Sequence, residues 1–233
     1  MTSHILKSNL YVDNLLVTSN STEFLKRTYS ESLDKMKQGG FCLHSWNSND
    51  PELLAIMQND GSLASHGNNY EKVLGVNYFM ENDSIQLSDN VLGPSANTKR
   101  SILSQISKVF DPLGLLLPVT TKGKFIMKEL WDLSVAWDEE VPAHIKKNWS
   151  KHSSDLTQLP SISLPRSCIS LESENSLCIF CDASKSCYGF AIYNVSIGIS
   201  RLMFAKSRVP PVKTKTLPML ELMGGFLSVK MLA

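Results

Sequence analysis

The apolar residues of this chain change their spacing twice, and that change limits what the chain can fold into. Up to about residue 90, short apolar runs alternate with polar turns around one longer helical stripe. The spacing then becomes helical, with Ile102, Leu103, Ile106, Val109 and Phe110 on one face. The last third turns to strand-like runs, LCIFCDA (177–183), YGFAIYNV (188–195) and RLMFAKS (201–207), joined by short connections. Mixed regimes of this kind predict an α+β chain.

Within the first regime, LYVDNLLVTS (10–19) reads as strand, tight turn, strand, with Asp13 and Asn14 at the tip. A helix follows, capped by Asn20 with Glu23 in the reciprocal position. Its stripe is Leu25, Tyr29, Leu33 and Met36, and Gly39-Gly40 ends it. FCLHSW (41–46) is expected as a short strand, and Asp50-Pro51 opens a short helix. VLGVNYF (73–79) and SIQL (84–87) are expected to pair around Glu81-Asn82-Asp83. In the second regime DPLG (111–114) breaks the helical stripe, and further helices are predicted over 119–136 and up to Trp149. Residues 150–166 are polar and proline-punctuated, which predicts a linker. A last helix begins near Pro218.

A length of 233 residues allows one large domain or two small ones, and 42% hydrophobic with 19% charged residues is a globular balance. The net charge of +1 excludes a global basic field, so a nucleic-acid partner would be held by local patches. Two exist. Lys99, Arg100, Lys108, Lys122, Lys124 and Lys128 face only Asp111 in sequence, and Lys206, Arg208, Lys213 and Lys215 lie together without an acid. Each group can neutralise phosphates, and each is equally an ordinary solvated helix face or loop. The longest apolar stretch, LGLLLPV (113–119), is too short to span a bilayer, and no secretory signal is visible. Five cysteines without a disulfide spacing point to a reducing, intracellular setting, cytoplasmic or nuclear.

Two carboxylates stand out by position: Asp13 at a hairpin tip and Asp182 at the end of an apolar strand. Each is either a group that needs a metal or partner, or simply a strand terminator favouring its turn. Cys178 and Cys181 would point to opposite faces of a strand and cannot share a zinc ion. The histidines form no ligand spacing, and nucleophile elbows and phosphate-binding glycine loops are absent.

The order of segments resembles the Pao-type (BEL/Pao) LTR retrotransposon polyproteins. YVDN with its following helix resembles the YVDD hairpin of reverse transcriptases; GGFCLHSWNSN and KVLGVNYF look like the elements that follow it. The run KRSILSQISKVFDPLGLLLPVTTKGKFIMKELW (99–131) is the most specific part. WDEEVPAHIKKNW, LPSISLPR, CIFCDASKSCYGFAIY and AKSRVPPVKTKTLPMLELMGG continue the pattern, the last two like the opening of a ribonuclease H-like domain. The resemblance implies a reverse transcriptase palm remnant at 1–90, a helical connection at 91–165 and the N-terminal half of a ribonuclease H-like α/β domain at 166–233.

Both enzymes of that family hold two Mg²⁺ ions on clustered carboxylates. By matching position, Asp13 is the first carboxylate of the polymerase hairpin, Asn14 replaces the second, and Asp182 and Glu221 match the first two of ribonuclease H. Residues 1–12 contain no acid, and none follows Glu221. The expectation is therefore a catalytically silent fragment that does not stably bind Mg²⁺. RNA, DNA or an RNA–DNA hybrid is the implied partner, through Lys99, Arg100, Lys122, Lys124, Lys206, Arg208, Lys213 and Lys215, with no membrane contact and an oligomeric state left open. The alternatives are a domesticated, non-enzymatic nucleic-acid-binding module and a part of a longer active polyprotein.

Overall fold

A computed structural model describes residues 2–64, 70–87, 96–170, 173–211 and 215–232. The chain forms two compact units, Met1–Ser84 and Ile85–Ala233.

The first unit opens with a helix that the spacing did not announce, α1 (Thr2–Asn9). The expected hairpin follows as β1 (Leu10–Tyr11) and β2 (Asn14–Leu15), paired Leu10↔Leu15 and Tyr11↔Asn14. Its turn is Val12-Asp13, one residue earlier than expected, with Val12 in the left-handed region at φ +56°. Asn9 closes the base by donating from Nδ2 to the Leu16 carbonyl (2.9 Å). Helix α2 (Thr22–Gln38) is capped by Ser21, not Asn20, because the Ser21 hydroxyl is the one in reach of the Phe24 amide (3.2 Å). Its Tyr29 packs with Leu53 and Met57 of α3 (Pro51–Asn59), flanked by Leu25, Leu33, Trp46 and Leu63. Asp50 caps α3, accepting from the Leu53 amide (2.9 Å).

The strand expected over 41–46 reduces to a single bridge, Trp46↔Leu63. Phe41 and Cys42 are both exposed, so the run has no apolar face to seat. The run over 73–79 is itself a hairpin, β3 (Glu71–Val73) and β4 (Val76–Phe79), turning on Leu74-Gly75. Both turn residues have positive φ (48° and 87°), which the glycine permits and the leucine tolerates with strain. Strand β5 (Ser84–Leu87) follows at the boundary between the units.

The second unit joins helices to a three-stranded sheet. Helix α4 (Lys99–Lys108) starts from a capping box between Thr98 and Ser101, and is followed by α5 (Leu117–Asp132) and α6 (Ala143–Leu156). Ile102, Leu130, Ile145 and Leu156 are fully buried among them. The linker expected over 150–166 is instead mostly ordered: α6 runs past Trp149 to Leu156, a 3₁₀ turn covers Leu159–Ser161, and β6 (Leu164–Pro165) follows. Burial of His152, Leu156 and Leu159 is the reason, since a polar segment carrying those side chains gains by docking.

The three strands expected in the last third form β7 (Ser176–Ala183), β8 (Tyr188–Ser196) and β9 (Ile199–Arg208), antiparallel in the order β7-β8-β9. Helix α7 (Leu217–Leu232) lays Leu220 and Leu227 on Tyr188, Phe190 and Ile192. The DPLG segment meets the outer edge of β9. The Asp111 carboxylate accepts from the amides of Leu115 and Leu116 (2.9 Å each), and the Leu113 carbonyl accepts from the Ala205 amide (2.8 Å). Gly114, at φ +69°, lies so close to β9 that a Cβ there would fall 1.8 Å from the Ala205 carbonyl oxygen. Thr121 shares a hydrogen bond with the Ser207 hydroxyl (2.7 Å), and Lys124 donates to the Ser207 carbonyl (3.0 Å).

Gly114→Ala combines left-handed strain with overlap against backbone, and is expected to cost about 3 kcal/mol. Gly198→Ala, at φ +72° with open space around it, is expected to cost about 1 kcal/mol. Denaturant midpoints of the two variants check the difference; equal costs would remove the close approach at β9.

His152 is buried beside Trp149, and burial pushes its imidazole below the ordinary value of 6.5, with Asp155 opposing and Lys122 reinforcing the shift. A depressed histidine leaves the unfolded chain with more bound protons, so stability is full above about pH 6.5 and falls as the pH drops below it. Unfolding measured between pH 7.5 and about pH 5 should show that loss, and His152→Gln should flatten it.

Candidate functional site

Asp182 lies opposite Gly189 on β8. Its neighbours Cys181 and Ala183 pair with Phe190 and Tyr188, which face α7, so strand alternation puts Asp182 on the other face. The small-residue turn after it is held by Ser184, which donates its amide to the Cys187 carbonyl (2.7 Å) and accepts from the Cys187 amide on its hydroxyl (3.1 Å). Asp182 thus has no part in closing that turn.

Glu221 lies on α7, the helix packed on the other face of the sheet. One turn further along, Gly224 crosses β7 and β8: a Cβ there would lie 3.2 Å from the Gly189 carbonyl oxygen and 3.5 Å from that of Asp182. Both carboxylates are exposed, and neither makes an ion pair among the described residues. No group of three or more His, Cys, Asp or Glu side chains that could hold a metal occurs among the described residues. In the first unit Asp13 is exposed at its turn, 3.4 Å from the Asn14 amide nitrogen that donates to it.

The basic residues divide into engaged and free. Lys99, expected to face phosphate, is 2% exposed. Its ammonium donates to the carbonyls of Val135 (3.2 Å) and Leu130 (3.4 Å) and sits 3.5 Å from the Trp131 ring centroid. It is thus an interior cation, and the sequence reading of Lys99 as a surface group is corrected: Lys99 opens α4 at the point where the helices close over it. Arg100 forks onto Asp138 (2.7 and 3.0 Å), and Lys122 pairs with Asp155 (3.0 Å). Lys124 is half-buried and spent on Ser207; burial depresses its ammonium, with Cys187 and Asp111 opposing. Lys206, Arg208 and Lys215 are exposed, and Lys213 lies outside the described residues. The sequence reading missed Trp131 and Trp137, two partly exposed indoles in contact (5.5 Å between centroids). No helix among the described residues is long and apolar enough to cross a membrane.

A comparison with the curated proteins gives no match. Among solved structures, the chain is similar to a foamy viral protease-reverse transcriptase dRH in complex with double-stranded DNA, with a TM-score of 0.54 at 14% identity over 97% of this chain and 37% of that one. It is also similar to the foamy viral protease-reverse transcriptase in complex with RNA/DNA hybrid, with a TM-score of 0.49 at 15% identity over 97% of this chain and 29% of that one. The chain thus spans little more than a third of the length of the first, and that likeness is one of fold. A family model for the Pao retrotransposon-like RNaseH-like domain matches residues 98–233, which takes in α4 to α7 and the whole three-stranded sheet. With more than half of its length matched, the chain belongs to the Pao retrotransposon-like RNaseH-like domain family.

Proposed function

We propose that this chain is a retrotransposon-derived reverse transcriptase/ribonuclease H segment that holds nucleic acid without processing it when isolated. In this reading residues 1–90 are the palm remnant, 91–165 the helical connection and 166–233 the first half of the ribonuclease H-like domain. The observation that carries the reading is the family match over residues 98–233, within which Asp182 on β7 and Glu221 on α7 are exposed. Mg²⁺ would supply charge neutralisation at the attacking and leaving oxygens, but it keeps its waters and binds weakly when few carboxylates are offered.

Nucleic acid would be held on β9 and the segment before α7, where Lys206, Arg208 and Lys215 are exposed. Lys99, Arg100, Lys122 and Lys124 are engaged with carbonyls or carboxylates of the chain itself. The foamy viral protease-reverse transcriptase dRH of similar fold is in complex with double-stranded DNA, which supports a duplex as the partner class.

Purified chain incubated with labelled RNA–DNA hybrid and Mg²⁺ or Mn²⁺ is expected to give neither cleavage nor primer extension, and Asp182→Asn to behave identically. Turnover that disappears in Asp182→Asn overturns the proposal.

Hybrid affinity is expected to fall steeply with salt, and the double variant Lys206→Ala/Arg208→Ala to lower the slope of log K against log salt by roughly two. Lys99→Met is expected to leave that slope unchanged while lowering the melting temperature, because it strips a buried donor from two carbonyls. A slope indifferent to Lys206 and Arg208 would remove β9 from the interface.

A further inference from the structure

Beyond the nucleic-acid reading, the two outer strands of the three-stranded sheet end differently. The sheet runs β7-β8-β9. The outer side of β9 is engaged at three points. The Leu202 carbonyl accepts from the Cys168 thiol (3.4 Å), the Ala205 amide donates to the Leu113 carbonyl (2.8 Å), and the Ser207 carbonyl accepts from Lys124 (3.0 Å). Gly114 also lies against the Ala205 carbonyl. The outer edge of β7 has no backbone partner among the described residues: every residue from Ser176 to Ala183 pairs with β8 and with no other strand.

β7 also lacks the features that keep an edge strand from adding another. Natural edges are short, bulged or covered, or they carry lysine, proline or an inward charge. SLCIFCDA has eight residues, no lysine, no proline and one charge, Asp182, near its end. The irregularity of the sheet lies between β8 and β9, at Ile192/Tyr193, so the β7–β8 ladder is continuous. Six of the eight residues of β7 are exposed, among them Leu177 (56%), Ile179 (39%) and Phe180 (63%). Leu177 and Ile179 point to the face that carries α7, and Phe180 to the other, where its ring meets Tyr193 edge to face at 5.9 Å. A strand apolar on both faces has the pattern of an interior strand.

We infer that β7 pairs antiparallel with β7 of a second copy of this chain, joining two three-stranded sheets into one. Two observations select this occupant. The first is closure. With β9 engaged on its outer side, each sheet grows at β7 alone, so two copies meeting edge to edge leave no open strand and stop at a dimer. An unrelated strand would cover this edge and present another. The second is charge. The two-fold axis of such a pair stands perpendicular to the sheet, so each residue meets one that points to the same face. Registers centred on Ile179 or on Phe180 satisfy this. The first sets Asp182 opposite Ser176 and the second opposite Cys178, so like charges never meet. Phe180 of one copy then faces Cys178 or Phe180 of the other. An interface of one strand is small, which makes the dimer reversible.

The test is light scattering of the full chain over a dilution series, with reducing agent present. The mass should fall from that of two chains to that of one on dilution, with no larger species. Amide hydrogen exchange in β7 should slow at high protein concentration, while that in β9 stays unchanged. Phe180→Lys and Leu177→Lys each place a lysine at an exposed position of the open edge, so far-UV dichroism should hold while dimerisation weakens at least about tenfold. Phe226→Lys, on the exposed side of α7, should leave the dimer intact. Lys206→Ala/Arg208→Ala should also leave it intact, which separates this surface from the nucleic-acid reading. The mass of one chain at every concentration, growth beyond two copies, exchange in β7 indifferent to concentration, or dispersal by Phe226→Lys but not by Phe180→Lys or Leu177→Lys would each overturn the assignment.

Discussion

The outer edge of β9 is the constraint on which the second unit depends. An edge strand presents backbone donors and acceptors that must be paired, hydrated or covered. Here the Leu113 carbonyl takes the Ala205 amide, and Gly114 lies flat on the Ala205 carbonyl. Only a residue without Cβ allows that approach, and its φ of +69° suits glycine for a second reason. The preceding Asp111 caps the turn that becomes α5, so one short segment ends a helix, covers a sheet edge and starts the next helix. Thr121 and Lys124 of α5 then fasten Ser207, further along the same strand. The helices and the sheet consequently fall within one compact unit, and the family match takes in both.

That coupling explains which parts of the chain were legible. The three strands and the long helices follow from apolar period alone, because burial on one face dictates the spacing. Asp50 and Gly39-Gly40 were readable as helix signals because capping is local. The errors lie where two local options differ by one residue or where tertiary contacts decide. Asn20 and Ser21 are both good caps, and only the path of the chain selects Ser21. The pair Leu74-Gly75 is a two-residue hairpin turn hidden inside what looks like one apolar run. The polar stretch after Trp149 resembles a linker until His152, Leu156 and Leu159 find an interior to fill.

The candidate site shows the same division. Asp182 and Glu221 were named by resemblance; both are exposed, Asp182 on the face of the sheet away from α7 and Glu221 on α7 itself. The place of Lys99 was not legible, because sequence gives a lysine's charge but not its burial. A lysine at the start of a helix is ordinarily solvated; this one is enclosed by two carbonyls and two indoles. The indoles were invisible for the complementary reason. Trp131 and Trp137 both contact the Lys99 ammonium, and both remain partly exposed to solvent, a combination that spacing does not reveal.

Geometry and charge have separate fates where α7 meets the sheet. Gly224 and Gly225 let α7 settle against Asp182, Gly189 and Cys181, because a Cβ at Gly224 would lie a tight 3.2 Å from the Gly189 carbonyl oxygen. That seating fixes the level of Glu221 on the helix regardless of what Glu221 binds. The same helix leaves Leu222, Phe226 and Val229 exposed on its far side, and β7 exposes Leu177 and Phe180. Apolar packing therefore holds the backbone that positions the two carboxylates, while the carboxylates contribute nothing to holding the backbone. A scaffold of this kind keeps its shape through loss or replacement of an acid, since the free energy that forms the site comes from Leu220, Leu227 and the strands beneath them.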